Sequence, residues 1–257
     1  MGRPSKKAKY LGMENKNKHG TTMKIIEYNK ADDIIIEFQD EHKYRKRVQL
    51  TKFLRGGVAN PYDKTVCEVG YRGENGDVNF NDVIESHIYH VWRGMLARCY
   101  NKEEQAHYYQ GCVVDSKWHN YTNFKKWYYE NNYTTSSKNK RYMLNLDKDI
   151  LVPFNKIYSE NTCVLIPACI NSYFVSMARP NIIKNKNRFN LIISQNNYPS
   201  FEGSFKTYQE AETEYWKIKK QRLIDLCEEC KDFLPKNIYD LFVNLDLTKY
   251  KKGVNNE

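Results

Sequence analysis

The sequence predicts an α+β protein made of several small modules. A length of 257 residues favours about two domains, and a hydrophobic fraction of 40% is enough to build folded cores. The pattern of hydrophobic residues also changes twice along the chain. Short β-branched runs come first, a helical period follows, and strands with a long helix end the chain.

These changes divide the chain into four predicted segments. The N-terminus contains the basic run Arg3-Pro4-Ser5-Lys6-Lys7 without an apolar stretch, so it does not have the form of a secretory signal. The segments are a basic tail at 1–19, a β-rich module at 20–80, a helical region with a hairpin at 81–178, and a sheet-and-helix domain at 179–257.

Two β-branched runs, at 23–28 and 33–38, predict the first strands of the β-rich module. The polar residues at 29–32 separate the runs, so we expect a hairpin. A third strand is expected at 44–50, where basic residues alternate with others. The stretch at 73–77 has the composition of a linker to the next segment.

Aromatic and apolar residues at helical spacing characterise the region after the linker. Tyr89, Trp92 and Leu96 recur at steps of three and four residues, which places them on one face of a helix. Burial in a core is the simplest interpretation of such side chains. The aromatic residues that mark a second helix are Trp118, Phe124, Trp127 and Tyr128.

The last segment combines strands with a long helix. Strands are expected at 188–194 and 200–205, and alternation gives the first of them a polar and an apolar face. Thr207 and Glu210 form the capping-box pattern that begins a helix. The residues expected on the outer side of this helix are Lys217, Lys219, Lys220 and Arg222.

Oxygen-bearing side chains cluster in the hairpin before this segment. They are Asp147, Asp149, Asn155, Asn161 and Asn171. Carboxylate and amide oxygens suit Mg²⁺, Mn²⁺ or Ca²⁺ better than Zn²⁺. The same residue types also stabilise tight turns by accepting hydrogen bonds from nearby backbone amides. A metal site and a set of turns are therefore both open interpretations.

Further motifs extend over nearly the whole chain. The central ones are Trp92, Met95-Leu96, Arg98-Cys99-Tyr100, Tyr109-x-Gly111-Cys112-x-Val114, Leu146-Asp147-Lys148-Asp149-Ile150-Leu151 and Asn155-Lys156-x-Tyr158-Ser159. The C-terminal one is Gly203-Ser204-Phe205-x-Thr207-x-x-Glu210-Ala211. Together they resemble a family of phage and prophage HNH-type homing endonucleases that carry an AP2-like DNA-binding domain.

The resemblance implies an HNH-like nuclease region with a ββα-metal hairpin at 81–178. It also implies an AP2-like three-stranded sheet with one helix at 179–257. In the HNH pattern Asp147 and Asn171 fall at ligand positions for Mg²⁺ or Mn²⁺, and Asn161 falls at the middle position that holds the loop. Lys148 falls at the position of the general-base histidine.

Lys148 departs from the HNH pattern, because a lysine keeps its proton at neutral pH and cannot take one from water. Its ammonium could instead bind the scissile phosphate. If a histidine from the helical half serves as the base, His119, beside Trp118, is the first choice. Otherwise a desolvated Lys148 itself serves as the base, or the site has decayed.

A basic balance favours a polyanionic partner, since the formal net charge is +10 and the isoelectric point is about 9.1. The AP2-like sheet would lie in the major groove of double-stranded DNA. The residues expected to contact bases and phosphates are Lys184, Lys186, Arg188, Asn190, Ser194 and Lys206.

The sequence therefore predicts a phage-type DNA-binding protein with a divalent-metal-dependent centre that nicks DNA. The alternative is a catalytically decayed relative that acts as a DNA-binding regulator or inhibits a host protein. No stretch approaches the ~20 apolar residues of a membrane span. The seven cysteines favour free thiols in the cytoplasm of a bacterial host. Cys227 and Cys230 are spaced as CxxC, but the sequence has no second CxxC, so a zinc site is not expected.

Overall fold

A computed structural model gives the chain a mixed α+β fold with several small sheets, in agreement with the predicted class. Contacts between residues form two compact units. The first consists of Met1–Gln110 and Val114–Lys126, and the second of Gly111–Val113 and Trp127–Glu257. The boundaries of the four predicted modules stay predictions. The residues that the structure describes are 6–101, 103, 109–133, 140–175, 180–195 and 198–251.

The described residues form short strands and mostly short helices. The strands are β1 (Glu14–Lys16), β2 (Thr22–Lys30), β3 (Asp33–Phe38), β4 (Arg45–Val48), β5 (Val113–Val114), β6 (Leu144–Asp147), β7 (Ile157–Tyr158), β8 (Val164–Pro167), β9 (Asn181–Asn185), β10 (Arg188–Gln195) and β11 (Tyr198–Phe205). The α-helices are α1 (Lys6–Tyr10), α2 (Leu50–Leu54), α3 (Val83–Tyr100), α4 (Tyr121–Asn131), α5 (Ala168–Val175), α6 (Tyr208–Glu229) and α7 (Lys236–Asn244). Short 3₁₀ turns lie at Ser116–His119, Lys140–Tyr142 and Leu247–Tyr250. Over this part of the chain, no helix has the length and apolar composition needed to cross a membrane.

An antiparallel sheet in the order β1-β2-β3-β4 begins the first unit. The predicted hairpin is confirmed, since β2 and β3 pair from Met23 opposite Phe38 to Lys30 opposite Asp33. The turn is shorter than the predicted polar break because β2 continues through Asn29 and Lys30. Alternate residues of the strands face a core that includes Met23, Ile25, Tyr28, Ile34, Ile36, Phe38 and Val48.

Helix α3 carries the buried aromatic face that the sequence predicts. Asp82 caps its first turn by accepting hydrogen bonds from the Ile84 and Glu85 amides. Trp92 is fully buried, and its indole N–H donates to the Trp118 carbonyl at 2.7 Å. The helical spacing of these side chains therefore marks a core. The buried residues of α3 are Ile88, Trp92, Met95, Leu96 and Cys99.

One continuous core joins the hairpin, the sheet and the last helices of the second unit. Strands β6 and β8 pair antiparallel, and α5 follows β8 directly. The three-stranded sheet has the order β11-β10-β9. Helix α6 begins at the predicted capping box, in which the Thr207 hydroxyl accepts from the Glu210 amide and the Glu210 carboxylate accepts from the Thr207 amide. The core includes Ile166, Ile170, Tyr173, Leu191, Ile193, Ala211, Leu223 and Phe242.

The prediction that Lys219 and Arg222 lie on the outer side of α6 is wrong, since both are buried. The cause is that α6 packs against α5 and α7 as well as against the sheet. The Lys219 ammonium lies 5.0 Å from the centre of the Tyr173 ring, and burial lowers the pKa of Lys219 to about 8. The Arg222 guanidinium lies over the Tyr198 ring and donates to the Pro199 carbonyl.

Candidate functional site

The candidate metal hairpin has the chain order strand, loop, strand, helix. Strand β6 pairs with β8 from Leu144 opposite Pro167 to Asp147 opposite Val164. Helix α5 begins at the residue after Pro167. Asp147 is therefore the last residue of β6, at the end of the hairpin where the long connecting loop begins. Asn171 lies in the first turn of α5.

Asp147 uses its carboxylate within the turn that follows β6. Its Oδ1 accepts hydrogen bonds from the Asp149 and Ile150 amides at 2.7 and 2.8 Å. This is the turn interpretation that the sequence left open. Burial raises the pKa of Asp147, although the two amides act in the opposite direction. The Oδ2 atom is the part of the side chain that a cation could still use.

Lys148 is buried, and its ammonium is fully hydrogen-bonded. Nζ donates to both carboxylate oxygens of Asp149, at 2.8 and 2.7 Å, and to the Asn155 carbonyl at 2.6 Å. An ammonium has three N–H groups, and these acceptors use all of them. The Asn155 amide donates back to the carbonyls of Lys148 and Ile157. Lys148, Asp149 and Asn155 are termed the lysine clamp below.

The lysine clamp argues against both roles expected of Lys148. A lysine that binds phosphate or accepts a proton needs a nitrogen that faces the substrate, whereas these three donors are bound within the loop. Sequence reasoning missed this structural role. The adjoining Asp149 is the one signal in the sequence that could have indicated an internal ion pair.

The remaining predicted catalytic residues are spread over both units. Asn161 is exposed in the loop before β8, where the Thr162 hydroxyl donates to the Ile157 carbonyl. His119 belongs to the first unit, and its Nε2 lies 3.4 Å from the Tyr100 hydroxyl. Burial lowers the pKa of His119. The lowered pKa favours the neutral imidazole, which is the form that a general base requires.

The oxygen donors fit a divalent cation only in part. Among the described residues, no three His, Cys, Asp or Glu side chains are placed to hold a metal ion together. Asp149 is bound to Lys148, so the expected ligands are Asp147 Oδ2 and the Asn171 amide oxygen. Mg²⁺ is often held by one or two carboxylates, while water and substrate phosphates complete its shell. Only a site of that minimal kind suits these residues.

The three-stranded sheet has one apolar and one polar face, as the alternation in the sequence predicts. In β10, Leu191 and Ile193 are buried in the core. Asn190 lies on the opposite face, between Ile183 of β9 and Ser204 of β11. Residues directly across an antiparallel pair share a face. The polar sheet face therefore consists of Asn181, Ile183, Asn185, Arg188, Asn190, Ile192, Ser194, Glu202 and Ser204.

Arg188 is a basic group of the polar sheet face, and Ser204 orients it. The guanidinium Nε donates to Ser204 Oγ at 2.8 Å, and Nη2 donates to the Ser204 carbonyl at 2.6 Å. Lys184 lies opposite Phe189, so it belongs to the apolar side of the sheet. Lys186 lies in the turn between β9 and β10 with a φ of 52°. The expected cluster of basic groups is thus divided between the faces and the edge of the sheet.

Glu202 is a residue of the polar sheet face that sequence reasoning missed. It is exposed and lies opposite Ile192. A carboxylate at this place repels phosphates but can accept a hydrogen bond from the amino group of cytosine. Lys206 is exposed just after β11, and its backbone amide donates to Glu210. Alternation along β11 is the signal that could have identified Glu202.

The candidate site consists of a carboxylate turn at Asp147, the lysine clamp and the polar sheet face. Membership of the HNH and AP2-like family stays a prediction. No family model, curated protein or solved structure matches this chain.

Proposed function

We propose that this protein binds double-stranded DNA through the polar sheet face. A formal net charge of +10 favours a polyanionic partner. Arg188 has the donors that pair with guanine, and Asn190 has the donor and the acceptor that pair with adenine. A small antiparallel sheet also fits the width of the major groove. We place this DNA binding in the cytoplasm of a bacterial host.

The observation that carries the proposal is the orientation of Arg188. Two hydrogen bonds to Ser204 hold one edge of its guanidinium. Among the described residues, the hydrogen bonds of Arg188 use Nε and Nη2, so Nη1 stays available to a base. A planar group that is already oriented loses less rotamer entropy when it pairs with a base than a mobile side chain does.

Titration of the full chain with labelled duplex DNA tests this proposal. Affinity should fall steeply between about 50 and 200 mM salt, because bound cations are released from the phosphates. Arg188→Ala should weaken binding roughly 5- to 150-fold, which corresponds to about 1–3 kcal/mol for a lost base contact.

Arg45→Ala is the matched control for the DNA titration. Arg45 is an exposed strand arginine whose Nε donates to Glu37, so the change removes the same charge from the sheet of the first unit. It should have a much smaller effect than Arg188→Ala. Equal effects of the two substitutions, or an absence of binding at low salt, would refute the proposed surface.

A second candidate function is a divalent-metal-dependent nicking endonuclease. The strand, loop, strand, helix order that places Asp147 at the end of β6 favours it. Mg²⁺ or Mn²⁺ would supply charge stabilisation for the leaving oxygen. Asp147 and Asn171 would hold the ion, so Asp147→Ala and Asn171→Ala should each abolish cleavage and leave DNA binding unchanged.

The lysine clamp favours the alternative in which the hairpin is a catalytically decayed scaffold. A decayed protein would act as a DNA-binding regulator or as an inhibitor of a host protein. Incubation of supercoiled plasmid with the purified chain and Mg²⁺, Mn²⁺ or EDTA separates the two candidates. Nicking that EDTA abolishes indicates the nuclease. Binding without nicking in any of the three conditions indicates the scaffold.

A further inference from the structure

Three buried cysteines meet in the core of the second unit. Cys169 lies in the first turn of α5, and Cys230 follows the last residue of α6. Their sulfur atoms are 3.8 Å apart, although 61 residues separate them in the chain. Cys227 lies one turn before Cys230, and all three thiols are reduced. The fold thus brings two sulfurs into van der Waals contact across two helices.

The two sulfurs in contact belong to one core. Either thiol can donate a hydrogen bond to the other sulfur. Cys169, Cys227 and Cys230 all lie in the core cluster of the second unit. The packing of α5 against α6 therefore holds Cys169 and Cys230 together.

Exposure determines which sulfur meets an oxidant first. Cys169 retains 9% of its surface, whereas Cys230 and Cys227 retain none. Burial raises the pKa of Cys227 to about 12, so it is a poor nucleophile. A small oxidant thus reaches the Cys169 sulfur first, and the Cys230 thiol lies in contact with it.

We propose that Cys169 and Cys230 are a peroxide-oxidisable dithiol that closes a disulfide between α5 and α6. The Cys169 thiolate attacks hydrogen peroxide, which breaks the O–O bond, forms a sulfenic acid and releases hydroxide. The Cys230 sulfur then displaces the sulfenic oxygen, which leaves as water with the thiol proton. Both sulfurs are oxidised, and one peroxide is reduced to water. An external thiol reverses the bond.

This bond would tie the helix that follows the candidate metal hairpin to the helix that supports the polar sheet face. It would close a loop of about 60 residues in the second unit. A closed loop of this length restricts the unfolded chain, so the oxidised unit should resist heat better than the reduced unit. The proposal depends only on the two sulfurs and not on the proposed DNA binding.

Treatment of the reduced full chain with a small excess of hydrogen peroxide tests the proposal. Intact mass before alkylation should show a loss of two hydrogen atoms, and peptide mapping after alkylation of the remaining thiols should locate the bond at Cys169–Cys230. Dithiothreitol should reverse both changes. The apparent melting temperature of the oxidised protein should rise by roughly 5 °C or more.

Cys169→Ser and Cys230→Ser should each abolish this bond. Cys163→Ser is the matched control, because Cys163 is another buried thiol of the same unit and burial raises its pKa to about 12. The control should form the bond at the wild-type rate. Mapping in the wild type needs no variant, so a misfolded variant does not leave the proposal undecided. A bond at Cys227–Cys230, oxidation of Cys67 alone, or no bond at all would overturn it.

Discussion

Replacement of Lys148 by methionine keeps the length of the side chain and removes the ammonium from the lysine clamp. Both Asp149 oxygens and the Asn155 carbonyl then lose their donor. The Lys148 side chain is 8% exposed and that of Asp149 is 42% exposed. Water can therefore hydrogen-bond to the Asp149 carboxylate in place of the ammonium, whereas little water reaches the buried position of the ammonium itself.

The size of the Lys148→Met effect follows from these exposures. A hydrogen bond to a charged group contributes about 1.5–3 kcal/mol when buried. The exposed Asp149 carboxylate contributes less because solvent screens it, and burial of the methionine thioether recovers part of the loss. We expect the free energy of unfolding of the second unit to fall by about 2 kcal/mol, which corresponds to a melting temperature lower by roughly 4–8 °C.

Calorimetry and amide hydrogen exchange measure this loss. The amides of Asp149 and Ile157, which are bound inside the loop, should exchange faster in Lys148→Met. Lys156→Met is the control, because it removes the same charge from an exposed position in the same loop. Its effect should stay within about 0.5 kcal/mol. If both variants have the same stability, the clamp does not hold the loop and the reasoning fails.

Two further substitutions and a matched control test the environment of a carboxylate and the packing of a core. Burial raises the pKa of Asp147, so the folded state binds the carboxyl proton more tightly than the unfolded state does. The stability that this proton contributes is therefore lost as pH rises from about 4 through the raised pKa. The free energy of unfolding of Asp147→Asn, relative to wild type, should therefore increase over that range, and a constant difference would contradict the assignment. Gly70→Ala should destabilise the first unit by roughly 1–3 kcal/mol, because its Cβ would meet the side chains of Leu96 and Trp92. Gly94→Ala in α3 is the control, because its Cβ would meet only the end of the Arg98 side chain, and it should stabilise the helix by about 0.5–1 kcal/mol. Urea unfolding followed by tryptophan fluorescence measures both variants. Equal effects would rule out the packing argument.

Local patterns predicted those elements whose structure depends on neighbouring residues. The β2–β3 hairpin follows from two β-branched runs around a polar turn. The start of α6 follows from Thr207 and Glu210, which satisfy each other's backbone amides within one turn. The two faces of β10 follow from strict alternation. In each case the stabilising contact lies within a few residues or within one strand pair.

Other features depend on contacts that the sequence does not encode locally. Lys219 and Arg222 look like surface residues of an amphipathic helix, yet aromatic rings from other elements cover them. Lys184 falls on the apolar side because the turn before β10 sets the register of β9. The role of Lys148 depends on the path of a loop that brings the Asn155 carbonyl back to it. Periodicity contains no information about such returns of the chain.

The lysine clamp also constrains how this protein can change over generations. A histidine at position 148 is shorter and has at most two N–H groups, so it cannot replace three donors. Replacement of Lys148 by histidine would therefore weaken the loop. Asp149 and the path of the chain at Asn155 would have to change together with it. The outcome of any single substitution at position 148 thus depends on three acceptors that lie outside that residue.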